Sequence, residues 1–215
     1  MKKAFIIAGV AALTIGAALA GDKKERVSQT VDLRDFERIS VSGVYDLTVN
    51  VGEDYSVVIS GPADEVERVE ASVSNGVLDL GQKDGKKRWG RKRHGVDADI
   101  TVPTLNGLNV SGVVDGTIND IDAEKFKLSV SGVGDISLSG RCDSLDADVS
   151  GVGDLEARDL ECRVVDVKVS GVGSATVFAA EKVNASVSGM GDIDVYGGPE
   201  QVSKSGSMFA DVTVH

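Results

Sequence analysis

The sequence is poor in histidine, proline and aromatic residues. Its 215 residues include two His, three Pro, five Phe, three Tyr and one Trp. Two histidines leave little room for histidine-based catalysis or a His-rich metal site, and so few rings cannot build a core of large aromatic side chains. Glycine is abundant at 26 residues, but it shows no three-residue period, which excludes collagen. The core must therefore be made of smaller apolar side chains.

Positive charge is also scarce. Lysine and arginine total 23 against 34 aspartates and glutamates, which gives a formal net charge of −11 and argues against nucleic acid as the main partner. Hydrophobic residues at 41% and charged residues at 27% are typical of a globular protein rather than a disordered one. Beyond the first twenty residues, no segment is apolar enough to cross a bilayer as a helix.

The first twenty residues have the pattern of a secretory signal peptide. Lys2 and Lys3 precede an uncharged, mostly apolar run, and Ala18 and Ala20 supply the small residues of a cleavage site. The alternative, an uncleaved membrane anchor, is disfavoured because the run is short for a span of about 20 residues. Asp22 stands where a lipoprotein needs cysteine. We therefore expect an exported protein, in the periplasm of a Gram-negative bacterium or else at the cell surface or outside the cell.

A short motif, Val-Ser-Gly followed by a similar tail, recurs along the chain. Copies begin at Val41, Val110, Val130, Val149, Val169 and Val187, and a degenerate copy begins at Lys204. From Val110 onward the starts lie 20, 19, 20, 18 and 17 residues apart. Self-similarity at a near-constant period indicates stacked repeats.

Apolar and polar residues alternate inside each repeat, which predicts strands. In the copy at Val130, Phe126 and Leu128 precede the Ser-Gly corner, and Ile136 and Leu138 follow it. Two short strands cannot bury their apolar side alone, so the repeats must stack in a parallel ladder about 4.8 Å apart. We predict an all-β fold, a parallel β-solenoid or right-handed β-helix with coils of 17–20 residues.

Stacking would place equivalent residues of successive coils in rows. A glycine row suits a corner that needs positive φ or close backbone approach. The next row is apolar, and we expect it to fill the narrow interior: Val133, Val152, Val172 and Met190. The pattern before Pro103 is less regular and predicts wider coils with insertions. In this interpretation residues 21–35 are a lead-in, and residues 36–215 form one domain.

The two cysteines occupy the same phase of consecutive repeats. Cys142 and Cys162 each lie seven residues before a Val-Ser-Gly, where the neighbouring repeats carry Ala123 and Ala180. Stacked coils would bring the two Cα atoms to about 5 Å, which is within disulfide range, and an exported protein with two cysteines favours the same bond. The alternative is a pair of reduced, buried side chains. Because the sequence has no Cys-x-x-Cys motif, a disulfide here would be a structural cross-link between repeats and not a redox site.

The combination of motifs resembles a known family. The segments that carry the resemblance are Phe36–Gly43 (FERISVSG), Asp46–Val49 (DLTV), Val102–Leu105 (VPTL), Leu108–Gly112 (LNVSG) and the serial Ser-Gly-Val-Gly-Asp corners. Over roughly residues 36–200 the chain resembles the putative auto-transporter adhesin, head GIN domain family. The resemblance implies a β-helix-like secreted bacterial domain, and the family's name implies adhesion.

An aspartate row is one candidate functional feature. It comprises Asp46, Asp115, Asp135, Asp154 and Asp192, with Ser174 in the remaining position. Neighbouring carboxylates about 5 Å apart would offer a weak calcium site, since calcium prefers several oxygen ligands. The favoured alternative is that each aspartate caps backbone N–H groups at its corner. Apart from calcium bound weakly at this row, we expect no cofactor.

A basic run is the sharper candidate for a binding site. It contains Lys83, Lys86, Lys87, Arg88, Trp89, Arg91, Lys92 and Arg93. Its seven bases outweigh one acid, Asp84, and we expect them at the tip of a hairpin insertion over residues 82–95. Arginine and lysine bind phosphate and carboxylate groups, while tryptophan stacks on sugars or lies at membrane interfaces. The expected ligands are lipopolysaccharide phosphates, anionic lipid or an acidic glycan, and the alternative is a solvated loop tip.

These features favour a non-enzymatic, secreted binding module that contacts an envelope or extracellular component. A polysaccharide-active β-helix enzyme is the first alternative, but the acidic row lacks a consistent basic partner. A purely structural or envelope-stress protein is the second alternative. The open ends of a solenoid also allow copies of the chain to associate edge to edge.

Overall fold

The structure is a computed structural model that describes residues 26–83, 95–206 and 210–215. The strands are β1 (Arg26–Thr30), β2 (Arg38–Val41), β3 (Val44–Val51), β4 (Ser56–Pro62), β5 (Val69–Ser74), β6 (Val77–Gln82), β7 (Val96–Val102), β8 (Gly107–Val110), β9 (Val113–Val130), β10 (Ile136–Val149), β11 (Leu155–Val169), β12 (Ala175–Val187), β13 (Ile193–Tyr196), β14 (Gln201–Ser205) and β15 (Val212–Val214). A single turn of helix, α1 (Ala63–Val66), lies between β4 and β5. Within these ranges no helix has the length and apolar character needed to span a bilayer. The predicted signal peptide and every residue of the basic run except Lys83 lie outside the described residues.

The strands form one large, mostly parallel sheet that does not close on itself. Hydrogen-bonded neighbours follow the order β1-β4-β7-β3-β9-β10-β11-β12-β13-β15, and the remaining strands pair beside this path. The long strands β9 to β12 lie in chain order, each parallel to the next. Equivalent residues are in register, so that Val130, Val149, Val169 and Val187 pair in turn. The all-β prediction is confirmed, and the near-copies of the motif stand side by side.

The core is built from branched and small side chains, as the shortage of aromatic residues requires. The row of Val130, Val149, Val169 and Val187 is at most 4% exposed. A second row crosses β10 to β13 and is equally buried: Ile136, Leu155, Ala175 and Ile193. Side chains of this size stack on one another along each row, on one face of the sheet, at the strand spacing of about 4.8 Å.

The prediction that the Val/Met row fills the interior is wrong. Val133, Val152, Val172 and Met190 are between 45% and 58% exposed, and Val113 joins them at 48%. The two-residue alternation of the strands continues through the corner, so Val133 shares the outward direction of Ser131 and Asp135.

Glycines occupy the positions between these outward side chains because the backbones approach too closely for any Cβ. A Cβ at Gly132 would collide with the backbone of Gly112, and one at Gly151 would collide with Gly132. Gly134 also has a φ of +135°, which residues with a side chain rarely adopt. From Gly132 onward the corners therefore hold only glycine at these crowded positions, and the intervening Val or Met side chain is exposed to solvent.

The predicted disulfide is present. Cys142 pairs with Cys162 across β10 and β11, with their Cα atoms 4.5 Å apart. Ala123 is the next residue in this row on one side, as expected, but on the other side it is Ala179 and not Ala180. The reason is that β11 and β12 change register near this row, so that Ala179 is buried and Ala180 is exposed.

The part before Pro103 combines parallel and antiparallel pairing. β4 is antiparallel to β1 and β7, and β5 is antiparallel to β6. β6 pairs with β2 and β5, whereas β7 pairs with β3 and β4. The two strands that flank the basic run are therefore not the arms of one hairpin, and the shape predicted for the run itself lies outside the described residues.

Candidate interaction surfaces

The corners of successive repeats stack into a continuous surface feature, here called the corner ridge. Its crest is the ladder of Val113, Val133, Val152, Val172 and Met190, each bridged in parallel to the next. Four steps of about 4.8 Å make the ladder about 19 Å long. Serines border this exposed apolar crest on one side and the aspartate row borders it on the other.

The aspartate row caps the backbone of the neighbouring repeat. The N–H of Asp135 donates to Asp115 Oδ1 at 3.3 Å, the N–H of Asp154 donates to Asp135 Oδ1 at 2.9 Å, and the N–H of Ser174 donates to Asp154 Oδ1 at 2.7 Å. Asp192 Oδ1 accepts from the N–H of Asp211 at 3.1 Å in the same way. Each bond crosses from one repeat to the next, so the row supports the capping alternative.

The row gives no coordination cluster for a metal in the part of the chain that the structure describes. No group of three or more His, Cys, Asp or Glu side chains comes together there closely enough to hold an ion. Calcium binding between repeats stays a prediction that the structure does not test. One carboxylate oxygen of each of Asp115, Asp135, Asp154 and Asp192 is already engaged by a backbone N–H group.

The aspartate row extends further than the motif predicts. Asp46 lies in register between Asp97 on β7 and Asp115 on β9. Packing around the carboxylate, followed by the negative charges of Asp97 and Asp115, raises the pKa of Asp46 above its ordinary value of 3.8. Arg26 pairs with Asp97 and partly offsets this effect. Asp97 could not be assigned to the row from the sequence, because it lies outside every copy of the motif.

The two residues that flank the basic run, Gln82 and Gly95, lie beside the corner of the first repeat, at Val44–Asp46. The Gln82 side chain accepts from Val44 N at 3.3 Å and donates to Val44 O at 3.4 Å. At the other end, Gly95 lies against Asp46, because a Cβ built there would be 3.3 Å from Asp46 Oδ2. Gln82 and Gly95, which flank the basic run, therefore both lie beside Val44–Asp46.

Lys83 is the one predicted binding residue of the run that the structure describes. Its N–H donates to Arg68 O at 2.8 Å, and its ammonium lies 3.7 Å from Glu70 Oε1. The Arg68 guanidinium in turn donates to Lys83 O at 2.5 Å. Lys83 thus fixes the start of the run to the neighbouring strand. Lys86, Lys87, Arg88, Trp89, Arg91, Lys92 and Arg93 lie outside the described residues.

A third surface, which we call the aromatic cluster, lies near the end of the chain. Phe178 on β12 is paired with Tyr196 on β13. The Arg158 guanidinium carbon lies 4.1 Å from the centre of the Tyr196 ring, and the His215 ring stacks on the same tyrosine at 4.5 Å. Sequence reasoning missed this cluster. The available signal was Phe178 and Tyr196 at outward positions of strands in a chain that has few aromatic residues.

The chain is similar to a described protein family and to several solved structures. The family model described as putative auto-transporter adhesin, head GIN domain, matches residues 35–199. A protein from Bacteroides fragilis, described as a putative adhesin, has the same fold, with a TM-score of 0.73, 24% identity, and coverage of 90% of this chain and 98% of that one. A putative adhesin from Parabacteroides distasonis is similar with a TM-score of 0.54 and 21% identity, at the same coverage.

None of the functionally curated proteins matches the chain. The solved structures are under 25% identical and therefore establish the shared fold alone. The family match spans most of the chain and agrees with the resemblance that its corner motifs carry. The protein belongs to the head GIN domain family of putative auto-transporter adhesins.

Proposed function

We propose that the protein is an exported, non-enzymatic binding module of the adhesin type. Its membership of the head GIN family supports this, as do structural relatives that carry the description putative adhesin. The N-terminal signal pattern supports export, and the periplasm or the surface of a Gram-negative cell is the proposed location. Residues 36–215 act as one domain in this proposal.

The proposed architecture of that domain is a parallel β-solenoid. Four long strands, β9 to β12, run in chain order with the repeated motif in register. A stack of this kind is stiff, and it presents each position of the repeat at a regular spacing of about 4.8 Å. Such a body suits a protein whose task is to hold a binding segment away from its own acidic surface.

The basic run is the proposed contact with the partner. The observation that carries this proposal is that both of its ends, Gln82 and Gly95, are fixed beside Val44–Asp46. The residues between these two fixed positions include all seven bases and Trp89, in a protein whose net charge is −11. The ligand would be an anionic glycan, lipopolysaccharide or anionic lipid, held by charge-assisted hydrogen bonds to phosphate or carboxylate groups.

Co-sedimentation with envelope fractions tests this proposal. Residues 21–215 would be mixed with lipopolysaccharide, peptidoglycan or anionic vesicles over a salt series. The test variant changes the seven bases of the run to Ser. A charge-matched control changes seven exposed bases elsewhere to Ser: Arg34, Lys125, Lys127, Arg141, Arg163, Lys168 and Lys182.

Binding to at least one fraction should weaken with salt, because exposed charges are screened within about 10 Å at 0.1 M. It should be lost in the test variant and kept in the control. Equal loss in both variants would mean that only total charge matters. No binding to any fraction would overturn the proposed contact and direct attention to protein partners.

A further inference from the structure

Two aromatic side chains lie on the outside of a protein that otherwise uses its described aromatic residues in the core. Phe36, Tyr45 and Phe126 are at most 1% exposed, and Tyr55 packs on Phe36 with ring centres 5.2 Å apart. The remaining two in the described ranges, Phe178 and Tyr196, are only half-buried and lie on the outer face. Solvation of an aromatic face costs free energy, so this placement calls for an explanation beyond packing.

A bulge in β11 brings charged side chains to these rings. Ala157 pairs with Val177 and Glu161 pairs with Phe178, so the three residues between them, Arg158 to Leu160, have no partner on β12. Leu160 turns into the core, whereas Arg158 and Asp159 are exposed. Bulges re-aim side chains and are frequent beside functional sites. This one carries Arg158 across β12 to the Tyr196 ring.

The Tyr196 ring is held in a defined position before any ligand binds. Arg158 lies over it at 4.1 Å, and His215 stacks on it at 4.5 Å with an interplanar angle of 12°. His215 is itself fixed by Asp194, with 2.8 Å between Nε2 and Oδ1. The contact with Tyr196 in turn holds the Arg158 guanidinium in the cavity lining, and fixing a binding group in advance lowers the entropic cost of association.

An open cavity of about 450 Å³ lies beside the aromatic cluster. Its lining consists of Arg158, Asp159, Glu161, Phe178, Tyr196 and Gly197. The volume falls within the range of about 300–1,000 Å³ that small-ligand sites occupy. Gly197 has a φ of +96°, and a Cβ there would collide with the Ala179 backbone, so this part of the lining has no side chain.

We infer that this cavity is a sugar-binding site, independent of the basic run. The Phe178 ring offers an apolar surface to the C–H face of a pyranose ring, whereas the Tyr196 ring is covered by Arg158 and His215. Hydroxyl groups require both acceptors and donors, and the cavity supplies the carboxylates of Asp159 and Glu161 together with the guanidinium of Arg158. Neither carboxylate has a hydrogen bond or ion pair with any described residue, so both are available to a ligand.

A cationic peptide is the competing ligand, because the cavity holds two acids and one base. The sugar is favoured because a cation already occupies the Tyr196 ring, where a lysine or arginine of a peptide would have to compete with Arg158. A peptide that bound through charge alone would also have no use for Phe178 beside the carboxylates.

Saturation-transfer NMR with three probes tests the inference: chitohexaose, cellohexaose and mannohexaose, each against residues 21–215. The test variants are Phe178→Ala and Glu161→Gln, and Glu156→Gln is the matched control on the same strand. Thermal unfolding of each variant verifies that it is folded. A hexalysine peptide is the competing probe.

At least one sugar should bind, and its affinity should fall about tenfold in Phe178→Ala and in Glu161→Gln but remain unchanged in Glu156→Gln. Binding should also be unaffected when the seven bases of the run are changed to Ser, which separates this site from the proposed function. The inference is overturned if no sugar binds, if Phe178→Ala binds as well as the wild type, or if hexalysine alone binds.

Discussion

At the scale of single residues, glycine and the side chain between two glycines define the corner ridge. Gly132, Gly151 and Gly171 leave no room for a Cβ because the backbone of the preceding repeat lies against them. The intervening Val152 is 51% exposed. Packing therefore requires glycine at these three positions, whereas the side chain at position 152 affects only the surface.

Replacing one corner glycine should unfold or strongly destabilise the protein. Gly151→Ala would force a methyl group into the backbone of Gly132, and we expect a loss of at least about 3 kcal/mol. Val152→Ala, at the next position, removes an exposed side chain and should change stability by no more than about 0.5 kcal/mol. Chemical denaturation measures both, and similar losses in the two variants would contradict the description of the ridge.

Asp46 should limit stability at neutral pH. Its pKa is raised in the folded state, so the folded protein binds a proton there more tightly than the unfolded chain does. Ionisation therefore costs stability as the pH rises above the ordinary value of 3.8, and the cost vanishes below that value. Asp46→Asn should raise Tm at pH 7 and show no gain at pH 3, with Asp99→Asn as the control on the neighbouring strand.

A lower Tm of Asp46→Asn at pH 7 would show that the charged carboxylate stabilises the fold, contrary to this account. A gain that persists at pH 3 would show that the effect does not come from ionisation. Differential scanning calorimetry over pH 3–7 distinguishes these outcomes from the expected one.

At the scale of elements, hydrogen bonds between repeats connect the strands at the corner, where the regular ladder is reduced to single bridges. Asp135 and Asp154 each accept a backbone N–H from the next repeat at this point. The carboxylates replace ladder bonds that the corner geometry does not provide. The aspartate row is thus part of the way in which successive repeats are joined.

Removing one cap should weaken this connection. Asp154→Ala leaves the Ser174 N–H without its acceptor at 2.7 Å, and we expect a loss of about 1 kcal/mol. Asp154→Asn keeps an acceptor oxygen and should lose less than half of that. Adding 5 mM calcium should leave Tm unchanged if the row serves only as caps. A rise in Tm with calcium that Asp154→Asn abolishes would support the calcium site instead.

Most of the strand content was predictable from the sequence because the alternation and the repeat agree with each other. The disulfide was predictable for the same reason, since Cys142 and Cys162 share a phase of the repeat. The prediction of a buried Val/Met row is wrong because it follows from apolar character alone, whereas the two-residue alternation groups Val133 with the exposed Ser131 and Asp135. The change from Ala180 to Ala179 depends on a register shift between β11 and β12 that the spacing of the motif does not reveal.

At the scale of the whole molecule, the candidate features lie at different places along one sheet. Gln82 and Gly95, which flank the basic run, lie beside Val44–Asp46. The corner ridge extends from Val113 to Met190, and the aromatic cluster lies at β12 and β13. The basic run could be identified from the sequence by its charge. The cavity beside the aromatic cluster could not, because strand pairing brings together residues of β11, β12 and β13 and the chain end that are distant in sequence.

In the proposed function, the protein binds an anionic envelope component through the basic run. Hydrogen–deuterium exchange of residues 21–215, with and without lipopolysaccharide or anionic vesicles, tests this binding at the level of single segments. We expect protection to increase over residues 82–95 and the increase to disappear at high salt. Protection confined to the corner ridge or the aromatic cluster, with no change over residues 82–95, would contradict it.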